Sequence, residues 1–256
     1  MSVLKLSVSI ISFNEEANIG ACLDAIKDIA AEIIVVDSQS TDRTVEIAKT
    51  FGAQVFTEEW KGHIAQKNSA LGKCTQRWIL SLDCDEIISP ELKSSIVSAL
   101  SSPDFDGYQV NRKTFFLGRW LNHAWQPDWN LRLVKKGIGH WQGLDPHDSL
   151  AISATAGKLS GDLLHYSFRD LRDCLERTIR YARISAESYD AAGKRFSWAQ
   201  LLLNPVHGFV KQYFIKRGFL DGMPGFIAAS IHFIYVFLKY AFIFERQQLS
   251  TTHRKH

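Results

Sequence analysis

Three short apolar runs in the first ninety residues each end in a cluster of acids and amides. Leu6 to Ser12 leads into Asn14-Glu15-Glu16. Glu32 to Val36 leads into Asp37-Ser38-Gln39-Ser40-Thr41-Asp42, and Trp78 to Leu82 leads into Asp83-Cys84-Asp85-Glu86. Carboxylate oxygens two residues apart suit a hard divalent cation, Mg²⁺ or Mn²⁺, which often joins one or two carboxylates to bound phosphates. In an extended stretch Asp83 and Asp85 point to opposite sides and so do different jobs, with Asp85 the expected metal ligand. Each motif alone is weak: Asp42 reads equally well as a helix N-cap, and Asp-x-Asp recurs by chance. Their succession on three strand ends is more specific, because open α/β sheets bind ligands beyond the carboxyl ends of their strands.

The elements that position these clusters follow from hydrophobic spacing. Helices are expected at Glu15 to Ile29, Thr41 to Phe51 and Lys61 to Lys73, and from Pro90 to Leu100, where proline suits a first turn. A further strand covers Ala53 to Thr57. This alternation predicts an α/β fold with a mostly parallel sheet and helices on both faces. Residues 105 to 165 are rich in Trp, Gly and His, with strand-like pieces at Tyr108 to Val110 and Leu131 to Val134. Helices are then expected at Leu171 to Tyr189, Pro205 to Arg217 and Gly222 to Arg246. The reading divides the chain into 1–165, a nucleotide-sugar-binding and catalytic domain on the resemblance below, and 166–256, a helical segment. The later part carries 14 Lys/Arg and 7 Asp/Glu, a net of +7, against 16 and 20 in the earlier part, a net of −4. Four scattered cysteines, Cys22, Cys74, Cys84 and Cys174, read as reduced cytosolic thiols. Met1 to Phe13 lacks the basic start and cleavage site of a signal peptide.

The segments Ser9-Ile10-Ile11-Ser12-Phe13-Asn14-Glu15-Glu16, Val35-Val36-Asp37-Ser38-x-Ser40-x-Asp42 and Leu80-Ser81-Leu82-Asp83-x-Asp85-Glu86 together resemble the inverting family 2 glycosyltransferases of GT-A fold. Gln66-Lys67-Asn68 sits where that family has a basic-Asn helix start. Leu131-Arg132-Leu133, Pro146-His147-Asp148 and Lys216 to Gly222 are similar to a bacterial branch that includes lipopolysaccharide inner-core β-glucosyltransferases. The resemblance implies that Asn14, Glu15 and Asp37 contact the base and ribose of a UDP-sugar donor, with Lys67 near the base or pyrophosphate. Asp83 would bond the donor ribose or share the ion through water. The chain departs from the pattern at Cys84, where Ala is usual, and at Asp148, where the branch has Glu.

An inverting transfer needs a base for the acceptor hydroxyl and positive charge for the departing diphosphate. Asp148 is the expected base, with Asp145 a second candidate. His147 reads as a third metal ligand or an orienting partner. Arg132 could pair with pyrophosphate or form a surface salt bridge. Trp120, Trp125, Trp129 and Trp141 could stack on sugars or fill the core.

Phe226 to Phe244 is apolar except for residues such as His232 and Lys239, long enough to approach a membrane span. A central lysine is costly in a span. With Lys211, Lys216 and Arg217 beside aromatic residues, the tail is expected to lie on or dip into an anionic leaflet, facing a lipid-linked saccharide acceptor at the cytoplasmic side of the membrane. A true span and burial in a core or dimer are the other readings. A nucleotidyltransferase would need a basic, Gly-rich loop where Asn14-Glu15-Glu16 stands. Intact Asp83 and Asp85 speak against a binding module without activity. Basic residues mixed with a long apolar stretch do not make a nucleic-acid groove.

Overall fold

The computed structural model describes residues 5–144 and 147–253, without the side chains of 144, 147 and 249–253. It comprises two compact units, Met1–Lys113 with Asp128–Tyr166, and Thr114–Pro127 with Ser167–His256.

The first unit opens with β1 (Leu6–Ser12), α1 (Ile19–Ile26), β2 (Glu32–Asp37), α2 (Thr44–Thr50), β3 (Gln54–Thr57), α3 (His63–Lys73) and β4 (Trp78–Asp83). After β5 (Glu86–Ile88) and α4 (Pro90–Ser101) come β6 (Gly107–Phe116), whose end belongs with β7 (Arg119–Trp120) to the second unit, and then β8 (Trp129–Lys135), β9 (His140–Leu144), β10 (His147–Ala151) and β11 (Ala156–His165). The sheet order is β3-β2-β1-β4-β8-β6-β11-β5, with β7 on β6, while β9 and β10 form a separate pair. Pairing is parallel from β3 to β4. Beyond β4 the pairs β4–β8, β8–β6 and β11–β5 are antiparallel. The parallel strands are joined by helical crossovers, which cover both faces, so β1, β2 and β4 are buried almost throughout.

Helix starts differ from expectation where side chains compete for the backbone. Helix α1 begins at Ile19, not Glu15, because Asn14 to Asn18 form a loop laced to the one after β2. Asn14 Oδ1 accepts the Thr41 N–H at 2.8 Å, and Glu16 Oε2 accepts the Arg43 N–H at 3.0 Å. Helix α4 starts as expected: Ser89 Oγ accepts the Leu92 N–H and Pro90 occupies the first turn.

At the end of β3, Glu58 accepts the Ser69 hydroxyl at 2.8 Å and pairs with Lys73 at 2.7 Å. Lys73, then Ser69, outweigh burial and hold the Glu58 carboxyl at about 2. A depressed carboxyl contributes stability above its ordinary value near 4.5 and loses it as pH falls toward 2. Glu58→Gln is therefore expected to flatten the stability curve across that window, measured by urea unfolding at stepped pH. Parallel curves for variant and parent would contradict it.

The second unit contains α5 (Leu171–Ala191), α6 (Trp198–Val210), a π-helical turn (Lys211–Ile215), a 3₁₀ turn (Gly218–Asp221) and α7 (Gly222–His253). The helix expected from Pro205 instead begins at Trp198 and carries Pro205 in its interior. The missing N–H is tolerated because packing holds the helix there: Pro205 is buried and Asn204 bonds the Tyr240 hydroxyl of α7 at 2.8 Å.

Candidate active site

Strand register sets three polar ends level. Ser12 lies opposite Asp37 across β1–β2, and Ile11 opposite Asp83 across β1–β4. Asp37 is buried, and its oxygens accept the Ser12 hydroxyl at 2.8 Å, the Ser40 hydroxyl at 2.5 Å and the Ser40 N–H at 2.8 Å. Asn14, with φ 52°, is exposed and donates its N–H to Ser40 Oγ at 2.9 Å. Glu15 donates its N–H to Thr44 Oγ1 at 2.7 Å and accepts Asn18 Nδ2 at 2.7 Å. Asp42 accepts the Thr44 N–H at 3.0 Å and the Glu16 N–H at 3.1 Å, which makes its role the bracing of two loops at the start of α2.

Behind these loops lies a buried charge cluster. Lys67 on α3 reaches Asp83 at 3.0 Å and Asp148 on β10 at 2.9 Å. Arg132 on β8 reaches Asp83 at 3.2 Å and Glu86 at 2.6 Å. The antiparallel match of Leu80 with Leu133 carries Arg132 to this end of β4. Arg132 and Glu86 are both buried, so of the two readings of Arg132 the surface salt bridge is excluded. Trp141 of β9 forms one wall, with Lys67 Nζ 4.3 Å and the Arg132 guanidinium carbon 5.6 Å from its ring centre. Asn68 fixes that wall through two bonds to the Trp141 backbone, at 2.9 and 2.8 Å.

Burial disfavours an ionised Asp83, but Lys67 and then Arg132 hold its carboxyl far below the usual range. Burial likewise pulls against charged Lys67 and Arg132, yet facing carboxylates keep both above their ordinary values. Arg132 Nε and Nη1 and Trp141 Nε1 are buried without an acceptor among the described residues. Buried donors of this kind suit anionic oxygens of a ligand.

Cys84 and Asp85 form a tight turn between β4 and β5 in place of an extended stretch. Asp83 and Asp85 nonetheless face different partners. Asp85 Oδ2 lies 3.3 Å from His165 Nε2. This follows from β5–β11 pairing, which sets His165 opposite Glu86, and from the Tyr166 N–H bond to the Asp85 carbonyl at 3.0 Å. Among the described residues no group of three or more His, Cys, Asp or Glu side chains gathers as a metal site. The Asp85–His165 pair offers one oxygen and one nitrogen donor, which fits a Mg²⁺ or Mn²⁺ ion completed by substrate phosphates and water.

The side chain of His147 and all of Asp145 lie outside the described residues. Cys84 is buried, and burial pushes its thiol well up, as expected of a small core residue. Trp125 packs against Phe116 at 5.2 Å in an apolar cluster of the second unit, and Trp141 belongs to a separate apolar cluster of the first. Lys158 lies 4.5 Å over the Trp129 ring, and Trp120 meets Phe115 edge-on at 5.0 Å. His165 is absent from the sequence reading, which names Glu86 and Trp141 without pairing Glu86 with Arg132 or setting Trp141 beside Lys67. His165 obeys the strand-end rule, since it closes the run Leu163-Leu164 at the end of β11.

The half-parallel sheet, with acids at the carboxyl ends of its strands, has the GT-A architecture. Residues 7–154 match glycosyl transferase family 2. The chain is 33% identical over 250 residues to an uncharacterized glycosyltransferase of Rickettsia typhi, covering 93% of this chain and 86% of that protein. It is 29% identical to the lipopolysaccharide core biosynthesis glycosyltransferase LpsC of Rhizobium meliloti, covering 96% and 94%. Among solved structures, a mannosyltransferase of Pyrobaculum calidifontis, in complex with GDP-Man and Mn²⁺, superposes with a TM-score of 0.61 at 14% identity, covering 94% and 87%. The chain belongs to glycosyl transferase family 2 and is a glycosyltransferase.

Proposed function

We propose that this enzyme transfers glucose from UDP-glucose, with inversion, to a hydroxyl of a lipid-linked saccharide such as a lipopolysaccharide core, at the cytoplasmic face of the membrane. The observation that carries the reading is the set of unsatisfied donors on Arg132 and Trp141 beside Lys67. Lys67 and Arg132 bind diphosphate oxygens, and Asn14, Glu15 and Asp37 hold base and ribose. Asp85 and His165 hold the divalent ion, with His147 of β10 a further candidate. That ion, when bound, supplies positive charge to the diphosphate. Support for the acceptor comes from the likeness to LpsC along nearly the whole chain and from the cationic, apolar second unit.

Asp148 is the base. Its ion pair with Lys67 weakens when the lysine turns to the more highly charged diphosphate. The freed carboxylate takes the acceptor hydroxyl proton, the acceptor oxygen bonds to the anomeric carbon, and the bond to the diphosphate oxygen breaks on the opposite face. A general base contributes about 10²–10⁴-fold. Asp148→Asn is expected to lose that factor in UDP release while calorimetry finds UDP-glucose bound as tightly as before. Turnover near the parent rate would move the base elsewhere, and preference for a guanosine donor would overturn the choice of UDP-glucose.

A further inference from the structure

The second unit exposes an apolar surface where the sequence is least acidic. Trp198, Leu202, Val206, Val210 and Phe214 recur every fourth residue, and all are exposed. With Leu203, 66% exposed and three and seven residues before Val206 and Val210, they form a stripe about 24 Å long down α6 and into the π turn. The stripe continues around the reversal through Ile215, Phe219, Leu220 and Met223, of which Ile215 and Met223 are each 67% exposed. Gly225 permits this tight reversal: a Cβ there would lie 1.9 Å from the Gly218 carbonyl oxygen. Charge around the surface has one sign. Between residues 196 and 244 the single acid is Asp221, which is buried and accepts the backbone N–H groups of Asn122, His123 and Ala124 at 2.8–3.0 Å. Lys211 and Arg217 stand exposed at the turn.

The long apolar helix is covered only in part, with Phe226, Ile234 and Phe237 exposed. The run Gly218–Gln248 has the length and composition of a span. Yet α5 lies along it, joined by the Ser185–Tyr235 bond at 2.7 Å, by Arg246 to Glu187 at 3.5 Å and by Gln247 to Asp190 at 3.2 Å. Cys174 of α5 shares a buried cluster with Ala228 and Ile231 of α7. The α5 sequence, LRDCLERTIRYARISAESYDA, holds eight Asp, Glu and Arg residues. If α7 crossed a bilayer in this packing, it would carry those charges into hydrocarbon, which is strongly disfavoured.

We propose that the second unit docks on one leaflet without crossing it. The α6 stripe and the Phe214–Met223 reversal enter the headgroup and acyl boundary of an anionic membrane, Lys211 and Arg217 meet the lipid phosphates, and α7, held along α5, stays on the same side of the bilayer. This deepens the membrane part of the proposed function and is independent of the donor and the base.

The test uses the full chain and vesicles of phosphatidylcholine with and without phosphatidylglycerol. Sedimentation is expected with the anionic vesicles, weakened by salt and reversed by alkaline carbonate. Lys211→Glu and Arg217→Glu are each expected to weaken it by about fivefold or more at low salt. Leu203→Glu with Ile215→Glu is expected to weaken it more than about tenfold at any salt. UDP affinity and thermal midpoint are read on every variant; unchanged values show that docking alone has failed and leave the sugar-transfer reading standing. Resistance to carbonate, with a C-terminal tag shielded from protease, would make α7 a span and overturn the proposal. So would equal binding by all variants, absence of vesicle binding, or a dimer in light scattering that Leu203→Glu with Ile215→Glu dissolves.

Discussion

Asp85→Ala and His165→Ala are each expected to abolish sugar transfer while leaving the fold intact. The two side chains meet at 3.3 Å, and among the described residues no third His, Cys, Asp or Glu joins them. A site with two protein donors has little reserve, so losing either one removes half of what the chain offers the ion. A divalent ion on a departing diphosphate is worth several kcal/mol of transition-state stabilisation, or about 10³-fold or more in rate. The contact could also serve only to fasten β5 to β11, and metal titration separates the two roles. If His165 is a ligand, His165→Ala should raise the Mn²⁺ concentration needed for activity and weaken Mn²⁺ binding by calorimetry in the presence of UDP. A fastening role would lower the thermal midpoint and leave the Mn²⁺ requirement unchanged, and that result would remove His165 from the site.

Arg132→Met is expected to cost about 3–5 kcal/mol of stability, because it leaves buried Glu86 and half-buried Asp83 without their shared cation. The same change removes two of the unsatisfied donors and should also lower UDP affinity. Stability and binding are separable with a second substitution. In Arg132→Met with Glu86→Gln, most of the stability should return, since the uncompensated charge is gone, while UDP affinity should stay low. A double-mutant cycle in urea measures the coupling. A single variant within about 1 kcal/mol of the parent would mean that Glu86 takes up a proton on losing Arg132 and that the pair contributes little.

The parallel half of the sheet was legible because its strands are continuous apolar runs, and each acidic cluster begins where a run stops. Parallel pairing then sets those ends level without further information. The strand-end positions of Asn14, Asp37, Asp83 and Asp85 were therefore legible from spacing, while the donor-binding roles expected of Asn14 and Asp37 came from the family resemblance. The partners were not. Lys67 meets Asp148 across 81 positions, and Arg132 meets Glu86 across 46. These contacts depend on β8 returning antiparallel beside β4 and on the β9–β10 pair closing over α3. Short-range periodicity carries no signal for either. Arg132 read as a possible surface group because an isolated charge in an alternating segment is normally solvated; its burial becomes tolerable only once two carboxylates converge on it. His165 was missed for a related reason, since its meaning comes from pairing with β5, far back in the chain.

The second unit divides in the same way. Net charge, the scarcity of acids and the apolar run from Phe226 to Phe244 are properties of composition, and they point to an anionic, apolar partner wherever the helices lie. Hydropathy cannot tell which apolar face is covered, because a residue buried against protein and one buried in lipid have the same side chain. Packing decides it. Helix α5 brings its charges alongside α7 and packs with Ala228 and Ile231, and with Leu201 of α6 it covers Tyr240 and Ile243, while the stripe on the outer side of α6 is left exposed. Composition marks α7 as the membrane element, whereas the packing of charged α5 along it is what directs the proposed docking to the helix and turn before it.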